Sequence, residues 1–338
     1  MKRGERVLLA HGGGGRLMHE LIRERLLPML NNPHLATLSD AAVLPELPPG
    51  RPALTTDAFV VDPPVFPHAD LGYLSVCGTV NDLAVAGARP LWLTWALILE
   101  EGLEAELLAT FVAGAARAAA EAGVAIVAGD TKVVPRGKGD RAFAITTGLG
   151  VVPPGRDLGD HRIIPSDAVL VSGPIGDHGA TVMALRHGLH GELASDCAPL
   201  TSLVEALLAA GLDVHSLHDP TRGGLTTTCN EVAERAGVRI VLDEGTIPVR
   251  PAVRSVAEVL GLDPLSIACE GRFVALVAAR DGDAALAALR SHPQGAGAAV
   301  IGTVTERAAN QAPVALRTLY GTERPLDMLA GSELPRIC

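Results

Sequence analysis

At 338 residues, with 48% hydrophobic but only 3% aromatic side chains and 37 glycines, the chain is long enough for two domains that each bury a core, and its composition predicts a soluble α/β or α+β protein. A formal net charge of −10 excludes nucleic acid and an anionic membrane as main partners, since both would be repelled and no basic stripe overrides the balance. No stretch resembles a signal-peptide core or a membrane span, so the chain is expected in the cytoplasm; five scattered cysteines without a C-x-x-C pair exclude a disulfide scaffold or zinc knuckle.

In chain order, the first notable stretch is His11-Gly12-Gly13-Gly14-Gly15, ahead of a helical pattern in which Leu17, Leu21, Ile22 and Leu26 share a face. The N–H groups of such a loop can close on phosphate oxygens, helped by the helix dipole; a plain hinge is the alternative. Acidic residues then recur on apolar segments that read as strands, Asp40 within 38–44 and Asp57 within 53–61. A carboxylate inside a strand is costly unless solvated, paired or bound to a cation, which singles out Asp57 more than Asp40. Residues 71–88 read as a helix carrying Asn81 and Asp82, ended by Gly87 before Arg89-Pro90. A strand over 91–99, an amphipathic helix through Leu103, Leu107, Phe111 and Ala115, and a strand over 124–134 follow. The last of these delivers Asp130, Thr131 and Lys132, and a strand over 142–151 closes this half.

Asp57, Asp82 and Asp130, with Asp40 as a fourth, are hard oxygen ligands spread over several elements. Such a set suits Mg2+ together with phosphate oxygens and waters; otherwise it is four unrelated surface acids. Lys132 would act as a point charge on a transferring phosphoryl group. There is no G-x-x-x-x-G-K-[ST], so a bound nucleotide would not be held by a P-loop.

Pro153-Pro154-Gly155 marks a boundary, dividing the chain into 1–152, 153–325 and a tail over 326–338. Beyond it, a strand over 168–173 runs into Gly176-Asp177-His178-Gly179 and a helix, and 199–210 is helical. In Asp219-Pro220-Thr221-Arg222-Gly223-Gly224, Thr221 is placed to cap a helix whose glycines leave N–H groups free for an anion beside Arg222; an ordinary capped helix is the alternative. His187, His190, His215 and His218 read as loop and surface histidines. Glu270, next to Gly271 at the entrance of a strand over 272–278, is a general base, a Mg2+ ligand or a solvated turn residue. Strands and helices alternating without βαβ spacing predict α+β halves. The chain stops on Glu333-Leu334-Pro335-Arg336-Ile337-Cys338. A thiol on a mobile end is a candidate carrier arm, with Arg336 favouring the thiolate; a frayed tail is the alternative.

Taken together, His11-Gly12-Gly13-Gly14-Gly15, Thr56-Asp57-Ala58-Phe59-Val60, Asn81-Asp82-Leu83-Ala84, Ala128-Gly129-Asp130-Thr131-Lys132, Gly176-Asp177-His178-Gly179, Asp219-Pro220-Thr221-Arg222-Gly223-Gly224 and Pro335-Arg336-Ile337-Cys338 resemble the HypE family of hydrogenase maturation factors. That family lies in the PurM-like ATP-binding superfamily named after aminoimidazole ribonucleotide synthetase. The internal motifs are shared across the superfamily, whereas the terminal Pro-Arg-Ile-Cys is specific to the family. The resemblance implies a two-domain α+β fold: an N-terminal ATP-binding and dimerisation domain with a mixed or antiparallel sheet, a C-terminal α+β domain and a flexible tail. It also implies a homodimer that pairs N-terminal sheets, with ATP near the interface.

The chemistry implied is ATP-dependent dehydration of a carbamoyl group on the terminal cysteine, thiocarboxamide to thiocyanate. A HypF-type carbamoyltransferase would load the thiol, and the cyano group would pass to iron on a HypC–HypD complex. By resemblance, ATP is held by His11, Gly12, Gly13, Gly14, Gly15, Asp57, Asp82, Asp130 and Thr131, and Mg2+ by Asp40, Asp57, Asp82 and Asp130. Cys338 is the carrier, Lys132 stabilises charge and Glu270 is the base. Many relatives have Asn where Cys269 precedes Glu270 here. The alternatives are a superfamily kinase or synthetase, of the thiamine-phosphate kinase or selenophosphate synthetase type, and a non-catalytic thiol carrier. The acid set and Lys132 argue against the last.

Overall fold

The computed structural model describes residues 5–30, 32–328, 331 and 334–338. Short helical turns open the chain: α1 (Arg16–Leu21), a π-helical turn Ile22–Leu26, α2 (Leu27–Leu30) and α3 (Pro33–Ala36). The strand expected over 38–44 does not form, and Val43 is 89% exposed. Pro45, Pro48 and Pro49 follow it at once and remove the N–H donors a ladder needs.

The first sheet contains β1 (Arg51–Phe59), β4 (Arg89–Glu100), β5 (Ala125–Val134) and β6 (Ala142–Val152), and β2 (Val65–Phe66) and β3 (Ala69–Asp70) form a small separate ribbon. Strand order is β1-β6-β4-β5, antiparallel except for the parallel β4/β5 pair, which α5 (Ala105–Ala122) crosses over to connect. Alternation sends Leu93, Trp95, Leu97 and Leu99 inward. The other face carries Leu54, Ile98, Phe143, Ile145 and Leu149 exposed or half-exposed.

Helix α4 (Leu71–Val85) is the hub. Asp70 caps it, accepting from the Gly72 N–H at 2.8 Å and the Tyr73 N–H at 3.1 Å; burial nevertheless pushes this carboxyl up to about 6. The helix is apolar nearly all round because it is covered on several sides, by the sheet, by α5, and by α7 (Thr201–Ala209) and β8 (Val214–His218) of the second half. A Cβ on Gly72 would stand 1.8 Å from the Phe111 carbonyl oxygen, so the two helices cross with their backbones touching.

The second sheet has seven strands, in the order β13-β12-β9-β11-β7-β10-β8. Besides β8 these are β7 (Ala168–Val171), β9 (Arg239–Asp243), β10 (Val274–Val277), β11 (Ala299–Thr305), β12 (Val314–Arg317) and β13 (Glu323–Pro325). All pairs are antiparallel except β12/β9. Helices α6 (Asp177–Arg186), α7, α8 (Gly224–Ala236), α9 (Pro251–Leu260) and α10 (Gly282–Ser291) complete this half. This is the expected two-domain α+β arrangement. Helix α9 was not anticipated, although Pro251 at its first turn and Gly261 beyond its last are start and stop signals. No helix among the described residues is long and apolar enough to cross a membrane.

Candidate active site

The site forms where α4 meets the loop before β10. Asn81, 1% exposed, donates from Nδ2 to the carbonyls of Ala198 (3.1 Å) and Glu270 (3.3 Å), while its Oδ1 accepts from the Leu200 N–H at 2.7 Å. One side chain therefore joins the two halves and ties the residue before Asp82 to the backbone of Glu270. The Asp82 carboxylate accepts from Thr55 Oγ1 at 2.8 Å, and the Asp57 carboxylate from Thr79 Oγ1 at 2.8 Å. Burial and then the neighbouring Asp57 charge push Asp82 up to about 6. Asp219 joins them from the second half, raised to about 7 by burial, Asp82 and Asp57.

Next to these acids lies the end of the chain. The Cys338 thiol lies beside the Glu270 carboxyl, and the Arg222 charge acts on both. Burial first, and then Glu270, hold the thiol well above its usual range, while Arg222 opposes them. Glu270 is itself 3% exposed, and its Oε1 has no hydrogen-bond partner in the structure. Burial, Asp219 and Asp196 push its carboxyl well up, while Cys338 and Arg222 pull it down. Asp196 accepts the Glu270 N–H at 3.2 Å and so fixes the loop.

The tail, expected to swing, is docked in this structure; of its predicted span, residues 329, 330, 332 and 333, including Glu333, lie outside the described residues. Leu334 and Ile337 are buried. Arg336 was expected to favour the thiolate, but its guanidinium pairs with Asp140 at 3.0 Å, and Arg222 is the cation whose charge acts on the thiol. Cys269 is fully buried, accepts the Gly176 N–H at 3.1 Å on its sulfur, and has a thiol pushed well up by burial, so it does not compete with Cys338. Thr221 does not cap α8: Gly223 does, at φ 79, where a Cβ would be strained, and Thr221 contributes only its carbonyl, to the Gly224 N–H at 2.9 Å.

The remaining predicted residues lie elsewhere. Across the first sheet Asp57 faces Thr146, Thr146 faces Trp95, and Trp95 faces Gly129. Asp130 and Lys132 are thus three strands from Asp57, about 14 Å at the usual strand spacing, and pair with each other at 3.5 Å. Thr131 is buried between them. The glycine loop sits at this same far edge: Gly12 lies against the Val133 backbone, and His11 accepts the Leu8 N–H at 2.9 Å, while Gly13, Gly14 and Gly15 lead into α1. Asp40 is on exposed coil. Among the described residues, no group of three or more acidic, His or Cys side chains forms a complete metal cage. The four-carboxylate set therefore does not converge within one chain; Asp57 and Asp82 do. Sequence reasoning gave Asp219 no role, although its motif stood out, and it missed Asp196 and the groups that hold the tail.

Comparison with known proteins agrees with this fold. Residues 38–152 match the AIR synthase related protein N-terminal domain, and residues 165–314 its C-terminal domain. Fold and site thus define a two-domain protein of the AIR synthase related, PurM-like class. Carbamoyl dehydratase HypE of Rhodobacter capsulatus is 49% identical over 341 residues, covering 99% of each chain. A crystal structure of the hydrogenase maturation protein HypE in complex with ATP matches with a TM-score of 0.93 at 45% identity, over 98% of this chain and 99% of that one. A HypE–HypF complex matches with a TM-score of 0.79 at 42% identity, over 93% and 100%. The chain belongs to the HypE family of hydrogenase maturation proteins.

Proposed function

We propose that this chain is an ATP-dependent carbamoyl dehydratase acting on its own C-terminal cysteine. The observation that carries the reading is the seating of the Cys338 thiol against Glu270 and Arg222, beside Asp57, Asp82 and Asp219. With a carbamoyl group on the sulfur, the carbonyl oxygen is a poor leaving group until phosphorylated. That oxygen attacks the γ-phosphorus of ATP, and the bond to ADP breaks. The amide nitrogen gives up one proton as the oxygen is phosphorylated and its second as the C–O bond breaks. Phosphate departs and a thiocyanate is left on the sulfur. Glu270 takes a proton from that nitrogen: burial raises its carboxyl and so makes the ionised form a strong base, a rise that Arg222 only partly offsets.

Asp57 and Asp82 fit Mg2+ as oxygen-only donors whose mutual repulsion a divalent cation would relieve. Mg2+ would screen charge on the phosphates. The rest of the ATP site comes from a second copy. The apolar, helix-free face of the first sheet, with Leu54 73% exposed, suits self-association. A two-fold pairing on it would carry Asp130, Lys132 and the glycine loop of one chain toward Asp57 and Asp82 of the other. Lys132 then stabilises charge on the transferring phosphoryl group. A HypF-type carbamoyltransferase loads the thiol, and a HypC–HypD iron complex receives the cyano group.

The test is peptide mass spectrometry after incubation with such a carbamoyltransferase, carbamoyl phosphate and Mg-ATP. The C-terminal peptide should gain a carbamoyl group and then lose one water only with hydrolysable ATP. A tail left unmodified under conditions that convert a known HypE overturns the reading.

A further inference from the structure

Three successive carbonyls at the end of the chain are each captured by a separate donor. Arg186 donates from Nη1 to the Pro335 carbonyl at 2.6 Å and from Nη2 to the Arg336 carbonyl, which also accepts the Asp62 N–H at 3.2 Å. His178 Nε2 donates to the Ile337 carbonyl at 2.7 Å. A carbonyl can only accept, so the His178 proton is on Nε2, and Nδ1 accepts from Ser195 Oγ at 2.8 Å. The ring is fully buried and meets Phe66 edge-on, with centroids 5.2 Å apart, which fixes its direction. Side chains are read as well: the Arg336 guanidinium takes both oxygens of Asp140, at 3.1 and 3.0 Å, and Ile337 is 2% exposed.

Main-chain capture in register, one charged pocket and one apolar pocket are the parts of a peptide-binding groove, and none of them depends on the ligand being covalently joined to the chain. We propose that these residues form a socket that recognises the peptide Leu-Pro-Arg-Ile-Cys as a ligand in its own right, whether on this chain or supplied in trans, with His178 as the positioning residue that sets where the terminal sulfur sits. The proposal deepens the dehydratase reading by defining its substrate as a peptide thiol read largely through its backbone; socket binding itself does not rest on that reading.

The test uses the full-length chain carrying Arg336→Ala, which weakens its own tail against an added competitor. It is titrated with fluorescein-labelled Leu-Pro-Arg-Ile-Ser, in which Ser prevents oxidation, and anisotropy is followed. The expected result is saturable binding that a scrambled peptide lacks. Adding His178→Phe, which keeps the ring but removes the donor, should weaken binding about tenfold. Adding Asp140→Asn, a half-exposed change that spares the fold, should weaken it roughly threefold. No saturable binding up to about 1 mM, the range a tethered tail itself commands, overturns the proposal. So does equal binding of the scrambled peptide, or binding that neither variant weakens. In a second arm the peptide ends in carbamoylated Cys, and Mg-ATP is added. Binding followed by loss of water supports both readings; binding without it leaves the socket standing and overturns the dehydratase.

Discussion

Asn81 carries the connection between the two halves, and replacing it with Leu tests that connection without leaving a cavity. The change keeps the branched shape but removes three hydrogen bonds at a residue 1% exposed. The Glu270 carbonyl keeps a second donor, the Ala198 N–H at 3.4 Å, so the groups left without a partner are the Leu200 N–H and the Ala198 carbonyl. At about 1–3 kcal/mol for each buried orphan, Asn81→Leu should lower stability by about 3 kcal/mol, read from the urea midpoint at an unchanged slope. Asn81→Ala, which also leaves a void, should lose about 1 kcal/mol more. Because the Glu270 backbone loses an anchor, dehydration of the loaded tail under conditions that keep the protein folded should fall at least about tenfold, the effect of a small displacement of a catalytic group. A stability loss below about 0.5 kcal/mol, the size of an ordinary surface change, would refute the staple. A full loss of stability with unchanged turnover would show that the staple holds the domains without positioning the base.

Gly72→Ala places a methyl 1.8 Å from the Phe111 carbonyl oxygen and should cost about 3 kcal/mol in chemical denaturation, whereas a neutral result would mean that α4 and α5 separate freely. Both carboxylate oxygens of Asp177 are buried without hydrogen-bond partners, and burial, then Asp196, raises this carboxyl to about 6, against the nearby Arg250 and Arg272. The native state therefore holds this proton more tightly than the unfolded one, so its contribution is fully present below about pH 4 and is lost as pH rises through about 6. Asp177→Asn should remove about 2 kcal/mol of that decline after partial screening, seen as a flatter stability difference between pH 4.5 and 7.5; parallel profiles would contradict it. Cys77, Cys197, Cys229 and Cys269 are all at most 1% exposed, so native alkylation should modify Cys338 alone, and a second adduct before unfolding would show a leak in the core. Mixing equal amounts of inactive Asp82→Asn and inactive Lys132→Ala chains should restore about a quarter of the activity, because random exchange makes about half of the dimers mixed and one of the two sites in each mixed dimer is intact; with no recovery after subunit exchange, the site lies within one chain.

What the sequence makes legible follows the range of the interactions. The α5 stripe through Leu108, Phe111, Val112 and Ala115 is a local period, and its stop at Gly123, φ 70, is a local signal, so that helix is readable from a short window. Glu270 and Cys338 are recognisable from motifs, but their proximity is not, because it depends on how the 67 residues between them return the chain to its own active site. The socket is less visible still: Asp62, Asp140 and the α6 pair His178 and Arg186 come from three separate segments and act mostly on backbone carbonyls, which carry no sequence identity. The far-edge placement of Asp130 and Lys132 is a matter of strand order, and alternation within a strand says which face a residue takes without saying which strand lies beside it. The same separation makes physical sense for an enzyme whose substrate is its own tail. A complete cation and phosphate site in one chain would gather Asp57, Asp82, Asp130 and Asp219 beside a half-buried thiol with few compensating positive charges. Dividing those charges between two edges of the sheet lets the chain fold with only part of that repulsion.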